Sequence, residues 1–226
     1  MARPAPADLV AAAASASSTV VSVRSVPWWG VLSAAAAPVL LIGGWTVAAA
    51  LQPGHFDSVT ATISALAGYG ARDRWVMSLG LAGLGCCHVC TSLALRPAAL
   101  PGRLLLMTGG LAGLVVAANP LPADGGHSGP HTVAAAVSFV VLAIWPIASR
   151  QRGSRVPLTL RLPGSAAATL TLLGLLTWFG AELWAGGGQV GLSERALAGA
   201  ESLWPLAVVL TARLRPAGAT DDEKVR

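Results

Sequence analysis

The stretch WWGVLSAAAAPVLLIGGWTVAAAL, residues 28–51, runs for 24 residues without a charged side chain. An α-helix rises about 1.5 Å per residue, so a helix of this length covers the roughly 30 Å hydrocarbon core of a bilayer. Further apolar runs lie at residues 75–95, 104–118, 131–148, 166–185 and 196–212. The run at 104–118 is short, and a helix there needs flanking residues to cross the bilayer. The pattern predicts an all-α protein with six membrane-spanning helices.

Basic residues alternate between the loops that separate these runs. If the N-terminus is cytoplasmic, one side of the membrane receives 12 of the 15 basic residues. These are Arg3, Arg24, Arg96, Arg103, Arg150, Arg152, Arg155, Arg161, Arg213, Arg215, Lys224 and Arg226. The other side receives only Arg72, Arg74 and Arg195. Because cytoplasmic loops of membrane proteins are enriched in Lys and Arg, this bias predicts that both termini are cytoplasmic.

The composition leaves little room for a soluble domain. Hydrophobic residues make up 54% of the chain and charged residues 11%, and the mean hydropathy is +0.65. We therefore expect one transmembrane domain at 28–212 between disordered cytoplasmic tails at 1–27 and 213–226. The net charge of +5 is explained by topology and by contact with anionic lipid, so nucleic acid is not an expected partner. Lys224 is the only lysine beside abundant Ala, Gly, Arg and Pro, a bias typical of GC-rich bacterial genomes. It predicts a multi-pass protein of a bacterial plasma membrane.

The first outer loop, residues 55–74, carries a helical pattern of its own. Asp57 stands where a helix N-cap would, and Thr60 and Ser64 are four residues apart, on one helix face. Apolar residues recur at helical spacing at Val59, Ile63 and Leu66. The loop is therefore predicted to form a short amphipathic helix at the outer surface or in the mouth of the bundle.

Polar residues collect at this outer boundary. His127 and His131 have the spacing of a helical metal pair, with Asp57, Asp124 or Glu194 as further ligands. Pro130 places the helix start near Ser128 or Gly129, because proline fits only a first helical turn. His127 would then precede the helix, and the alternative is that both histidines form hydrogen bonds within the loop.

Arg195 is one of the few outer cations and leaves two interpretations open. Either Arg195 pairs with Asp57 or Asp124 and so locks the first loop to the last span, or it binds an anionic ligand. Glu182, in the last turns of the fifth span, and Glu201, in the first two turns of the sixth, are expected to face protein or a water-filled vestibule. His88 is the only ionisable group expected in the central thirds of the spans, which argues against a transporter or a channel.

Several of these residues resemble a known family. The elements are Phe56-Asp57, Ile63-Ser64-Ala65-Leu66, Arg74-Trp75-Val76-Met77, Asn119-Pro120 to His131, and Glu194-Arg195 leading to Trp204-Pro205-Leu206. This pattern resembles the bacterial and archaeal membrane family known as domain of unknown function 998, over roughly residues 31–213. The resemblance implies a six-helix membrane protein and no established activity.

A looser likeness is to the ceramidase and progestin-receptor-like membrane hydrolases, which hold zinc with histidines and an Asp near a Ser. The span count and the position of the histidine pair depart from that pattern. The candidate catalytic residues are Asp57, Ser64 and Glu194, and the candidate binding residues are Asp57, Ser64, Arg195 and Glu182. The metal candidates are His127 and His131, with zinc as the metal. Two hypotheses follow: binding of a lipid or a partner membrane protein at an outer polar mouth, or metal-dependent hydrolysis of a lipid at the outer leaflet. A small-solute transporter ranks below both.

Overall fold

The computed structural model describes residues 26–124, 126–153 and 156–214, and within them all regular secondary structure is helical. The helices are α1 (Trp28–Ala50), α2 (Ile63–Ala67), α3 (Trp75–Ala94), α4 (Leu100–Ala118), α5 (Gly129–Ala148), α6 (Leu162–Ala185) and α7 (Val190–Arg213), with a 3₁₀ turn at Leu158–Leu160. The all-α prediction is confirmed. The two predicted tails lie almost wholly outside the described residues.

The six long helices form a closed ring. Each long helix packs on the next along the chain, and α1 also packs on α7, which closes the ring. The short helix α2 contacts α1, α3 and α7 and so lies over one end of the ring. Two fully buried apolar clusters fill the interior, one around Trp145 and Leu106 and one around Leu41 and Met77.

Five helices, α1 and α3 to α6, are long and apolar enough to cross a membrane. Their outer faces expose large apolar side chains, for example Val39 at 69%, Leu79 at 62% and Leu170 at 70%. Such surfaces fit lipid and not water. The helix α7 differs, because Glu194, Arg195 and Glu201 lie within it. The structure therefore supports five spans by length and composition.

The helices α4 to α7 all start earlier than the apolar runs indicated. The helix α4 begins at Leu100 with Pro101 in its first turn, because proline fits a position where no helical N–H bond is needed. The helix α7 begins at Val190 and not near 196. This earlier start moves Glu201 to the twelfth of 24 helical residues. The expectation that Glu201 lies within the first two turns is therefore wrong.

Small residues bring the helices close together. Gly85 of α3 and Gly110 of α4 face each other so closely that an added Cβ on either would lie 2.7 Å from the carbonyl oxygen of the other. Gly109 faces the Leu142 side chain of α5. Such contacts replace the hydrophobic effect as the source of helix association in lipid. Gly109 and Gly110 of α4 thus serve helix packing inside the bundle.

The contact between α4 and the end of α5 gives a first prediction. A Cβ on Gly102 would overlap the backbone of the fully buried Ser149, whereas a Cβ on Gly113 would meet Cα of Gly85 at an ordinary 3.7 Å. We expect Gly102→Ala to lower the free energy of unfolding by about 2 kcal/mol, because backbone cannot move aside as a side chain does. The measurement is unfolding in detergent by titration with dodecyl sulfate.

The control is Gly113→Ala in the same helix. It gains helix propensity without a clash and should leave stability unchanged or raise it by up to about 1 kcal/mol. Equal stability of the two variants would contradict the prediction.

Candidate functional site

The loop before α2 begins with a turn built on Asp57. Its carboxylate accepts hydrogen bonds from the Val59 backbone N–H at 2.9 Å and from the Thr60 hydroxyl at 2.8 Å. These bonds hold the pKa of Asp57 below its usual value, because they stabilise the charged form. The exposed Asp57 therefore orders the turn.

The helix α2 starts later than predicted. Its N-cap is Thr62, whose hydroxyl accepts from the Ala65 N–H at 3.1 Å. The prediction that Asp57 caps this helix is wrong, because its side chain is satisfied by the turn that follows it directly. Thr60 consequently lies before the helix, and Ser64 is the second helical residue.

Ser64 lies against His131 of α5. The Ser64 Oγ is 3.1 Å from His131 Nε2, and His131 Nδ1 is 2.9 Å from the main-chain carbonyl of Asn119. A carbonyl oxygen only accepts, so Nδ1 carries the proton and Nε2 presents a lone pair. The Ser64 hydroxyl therefore donates to Nε2. The buried His131 is thus held with Nε2 towards Ser64.

Glu194 reaches the same place from α7. Its Oε2 accepts from the Ile63 N–H at 2.5 Å, and its Oε1 lies 3.5 Å from Ser64 Oγ. Glu194 is buried, with an exposed fraction of 4%. Since its contact with Ser64 is longer than that of His131, the imidazole is the better-placed acceptor. The carboxylate fixes the start of α2 and hence the position of Ser64.

Arg195 fastens the first loop to α7. Its Nη1 donates to the main-chain carbonyls of Ser58, Ala61 and Gly191 at 2.7–2.9 Å, and the guanidinium lies 5.9 Å from the ring centroid of Phe56. The predicted lock between the first loop and the last helix is present. Its acceptors are carbonyl groups and not the carboxylates of Asp57 or Asp124.

The remaining predicted residues lie elsewhere. Asp124 and His127 are exposed, and Asp124 accepts from the Gly126 N–H at 2.9 Å. The helix α5 begins at Gly129, so His127 precedes it, as Pro130 indicated. Glu182 accepts from the Gln189 N–H at 2.9 Å and orders the turn between α6 and α7. Of the candidate residues, only Ser64, His131 and Glu194 meet through their side chains in this cluster.

The two predicted metal ligands lie in different surroundings, because His127 is exposed and His131 is buried. Among the residues that the structure describes, no group of three or more His, Cys, Asp or Glu side chains is close enough to hold a metal ion. Both ring nitrogens of His131 already lie at hydrogen-bonding distance from Asn119 and Ser64. The observed geometry is that of a serine–histidine pair.

A cavity of about 60 Å³ lies beside Ser64 inside the ring. Two acidic residues of α7, Glu194 and Glu201, line it, together with His88 of α3. Sequence reasoning missed that these groups share a cavity. The available signal was the spacing of 194, 198, 201 and 202, which places these four residues on one helix face. The later start assigned to the last helix concealed that pattern.

The fold defines a class: a helical protein of the membrane-spanning type, with a polar cluster at one end of its ring. The profile described as Protein of unknown function (DUF998) matches residues 34–211. The chain belongs to that family, as the sequence motifs indicated. No curated protein and no solved structure matches it.

Proposed function

We propose that this protein is a membrane hydrolase or acyltransferase that uses Ser64 as nucleophile and His131 as general base. The observation that carries the proposal is the 3.1 Å contact between Ser64 Oγ and His131 Nε2, with Nδ1 anchored on Asn119. A serine hydroxyl is a weak nucleophile until an adjacent base takes its proton. The anchored imidazole supplies that base in the correct tautomer.

The reaction follows from these two groups. Ser64 Oγ attacks the carbonyl carbon of an ester as its proton passes to His131 Nε2. His131 then returns this proton to the leaving alkoxide, and an acyl group remains on Ser64. Water or a second alcohol, deprotonated by the same imidazole, releases the acyl group. An acylated lipid is the favoured substrate class, because apolar helix faces surround the site.

The proposed topology has six spans with both termini in the cytoplasm of a bacterium, in its plasma membrane. The helix α7 has 24 residues and is therefore about 36 Å long, enough to cross. Its acidic residues line the interior cavity, so the rest of its surface can meet lipid and neighbouring helices. In this orientation the cytoplasmic side carries 12 basic residues and the outer side 3, which agrees with the enrichment of Lys and Arg in cytoplasmic loops. This topology places Ser64 at the outer face.

The test uses a fluorophosphonate, which forms a covalent bond with an activated serine and releases fluoride. We expect labelling of the full-length protein in detergent at Ser64, located by mass spectrometry of the labelled peptide. Ser64→Ala should lose the label, whereas Ser58→Ala in the same loop should keep it. A folded protein that takes up no label, or that is labelled elsewhere, would overturn the proposal.

Elemental analysis of the same sample separates the alternative functions. Stoichiometric zinc that is lost from a His127→Ala/His131→Ala variant would favour the metal-dependent hydrolase. Binding of a lipid or partner membrane protein without chemistry predicts neither metal nor label. A small-solute transporter predicts gradient-dependent uptake. A transporter is less disfavoured by the structure than by the sequence, because Glu201 lies in the middle of α7.

A further inference from the structure

The interior cavity has an unusual balance of hydrogen-bonding groups. Its volume of about 60 Å³ holds about four waters, or one small molecule, since a water needs roughly 10–15 Å³. Most of the wall is apolar and is formed by Leu41, Leu81, Leu84, Val116, Phe139 and Leu142. The polar part of the wall lies mainly on α7, and His88 of α3 adds to it.

Two buried atoms of this wall have no hydrogen-bond partner among the described residues. They are Oε1 of Glu201 and Nε2 of His88, and both residues are only 2% exposed. The His88 Nδ1 lies 3.0 Å from the Leu84 carbonyl, and in the tautomer that is protonated at Nδ1 the Nε2 atom presents a free lone pair. The imidazole also lies beside the backbone of Glu201. Both residues line the same cavity.

The hydroxyl groups of the wall add only further acceptors. Ser138 donates its proton to the Gly109 carbonyl at 3.1 Å, and Ser202 donates to the Gly199 carbonyl at 2.8 Å. The Ser64 hydroxyl is directed to His131. The lining residues include no Lys, Arg, Asn, Gln or Trp. With the glutamate side chains ionised, a ligand that satisfies this wall must bring its own donors.

The chemical nature of these acceptors narrows the class of ligand further. An alkali cation prefers an all-oxygen shell, whereas here one of the two unpartnered atoms is an imidazole nitrogen. A quaternary ammonium has charge but no N–H. A primary ammonium has three N–H donors and a positive charge, which match Oε1 of Glu201, Nε2 of His88 and a serine oxygen. A short alkyl group on it would contact the leucine and phenylalanine side chains.

We infer that the cavity is a binding site for the primary ammonium group of a small alkylamine, held by Glu201 and His88. Ser64 lines the same cavity, but ammonium binding requires no reaction at Ser64 and so does not depend on the proposed acyl chemistry. It gives a role to two buried polar groups of the membrane interior that would otherwise be costly to leave without partners.

The test is a titration of the full-length protein in detergent with ethylammonium chloride, followed by the midpoint of thermal unfolding and by calorimetry. We expect a saturable rise of the midpoint, since a ligand that binds only the folded state stabilises it. Tetramethylammonium chloride and sodium chloride at equal concentration should give no saturable rise. An equal response to tetramethylammonium or sodium would overturn the inference, and this comparison needs no variant.

Two variants locate the site. Glu201→Gln keeps the shape but removes the negative charge, and it should weaken ethylammonium binding at least about tenfold. Glu182→Gln, outside the cavity, is the matched control and should bind as the unmodified protein does. Unchanged affinity in Glu201→Gln would place the ammonium elsewhere and overturn the inference. If Glu201→Gln does not fold, His88→Gln takes its place with the same expected loss.

Discussion

Replacing His131 by Phe should slow the reaction of Ser64 with a fluorophosphonate about 10³-fold. The ring of Phe fills a similar volume, but it cannot accept the Ser64 proton at the position of Nε2, 3.1 Å from Oγ. A positioned general base contributes roughly 10²- to 10⁴-fold to such a reaction. The measurement is the second-order rate of labelling in detergent, with thermal unfolding as the check that the variant is folded.

His127, the other histidine of the predicted metal pair, provides the control. His127 is exposed and precedes α5, so His127→Phe should label at the unmodified rate. Equal slowing in the two variants would instead indicate a site that needs both histidines, as a metal site would. Full reactivity of His131→Phe would refute the role of His131 as base.

Replacing Arg195 by Met should lower the free energy of unfolding by about 3 kcal/mol. The substitution keeps an unbranched apolar stem but removes the donor that binds three carbonyl groups of the first loop and α7. A hydrogen bond to a charged group contributes roughly 1.5–3 kcal/mol. The three bonds here share the two hydrogens of one Nη1 atom, so together they contribute less than three full bonds. The first loop would detach from α7, so Ser64 should also lose reactivity. Titration with dodecyl sulfate and the labelling rate measure the two effects.

Arg72 is the matched control in the same outer loop. It forms a 3.9 Å ion pair with Asp73, and the two side chains are 68% and 42% exposed. An exposed pair of this kind contributes little, so Arg72→Met should change stability by less than about 0.5 kcal/mol. If Arg195→Met and Arg72→Met have the same effect, Arg195 has no special role in fastening the loop.

The helical architecture was predictable because it depends on local pattern. Uncharged runs such as residues 28–51 must satisfy their backbone groups internally in lipid, and a helix does so whatever its neighbours are. The start of α5 near Gly129 was also local, since Pro130 restricts it. The start of α7 was not predictable. Charged residues such as Glu194 and Arg195 suggest a loop, and their hydrogen-bond partners in the first loop are known only from the tertiary structure.

The sequence by itself determined that this chain forms long apolar helices and belongs to its family, and it supplied Ser64, His131 and Glu194 as candidates. Only the tertiary structure decided which candidates meet. Ser64 and His131 are 67 residues apart and Glu194 lies 131 residues from Ile63, distances over which no periodicity operates. Asp57 and His127 had equally suitable side chains but lie outside the cluster. Asp57 is held by its own local turn, and His127 lies at an exposed loop position. Closure of the ring by α1 and α7 gives Glu201 and His88 a shared cavity, because helix packing and not residue type sets which faces turn inward.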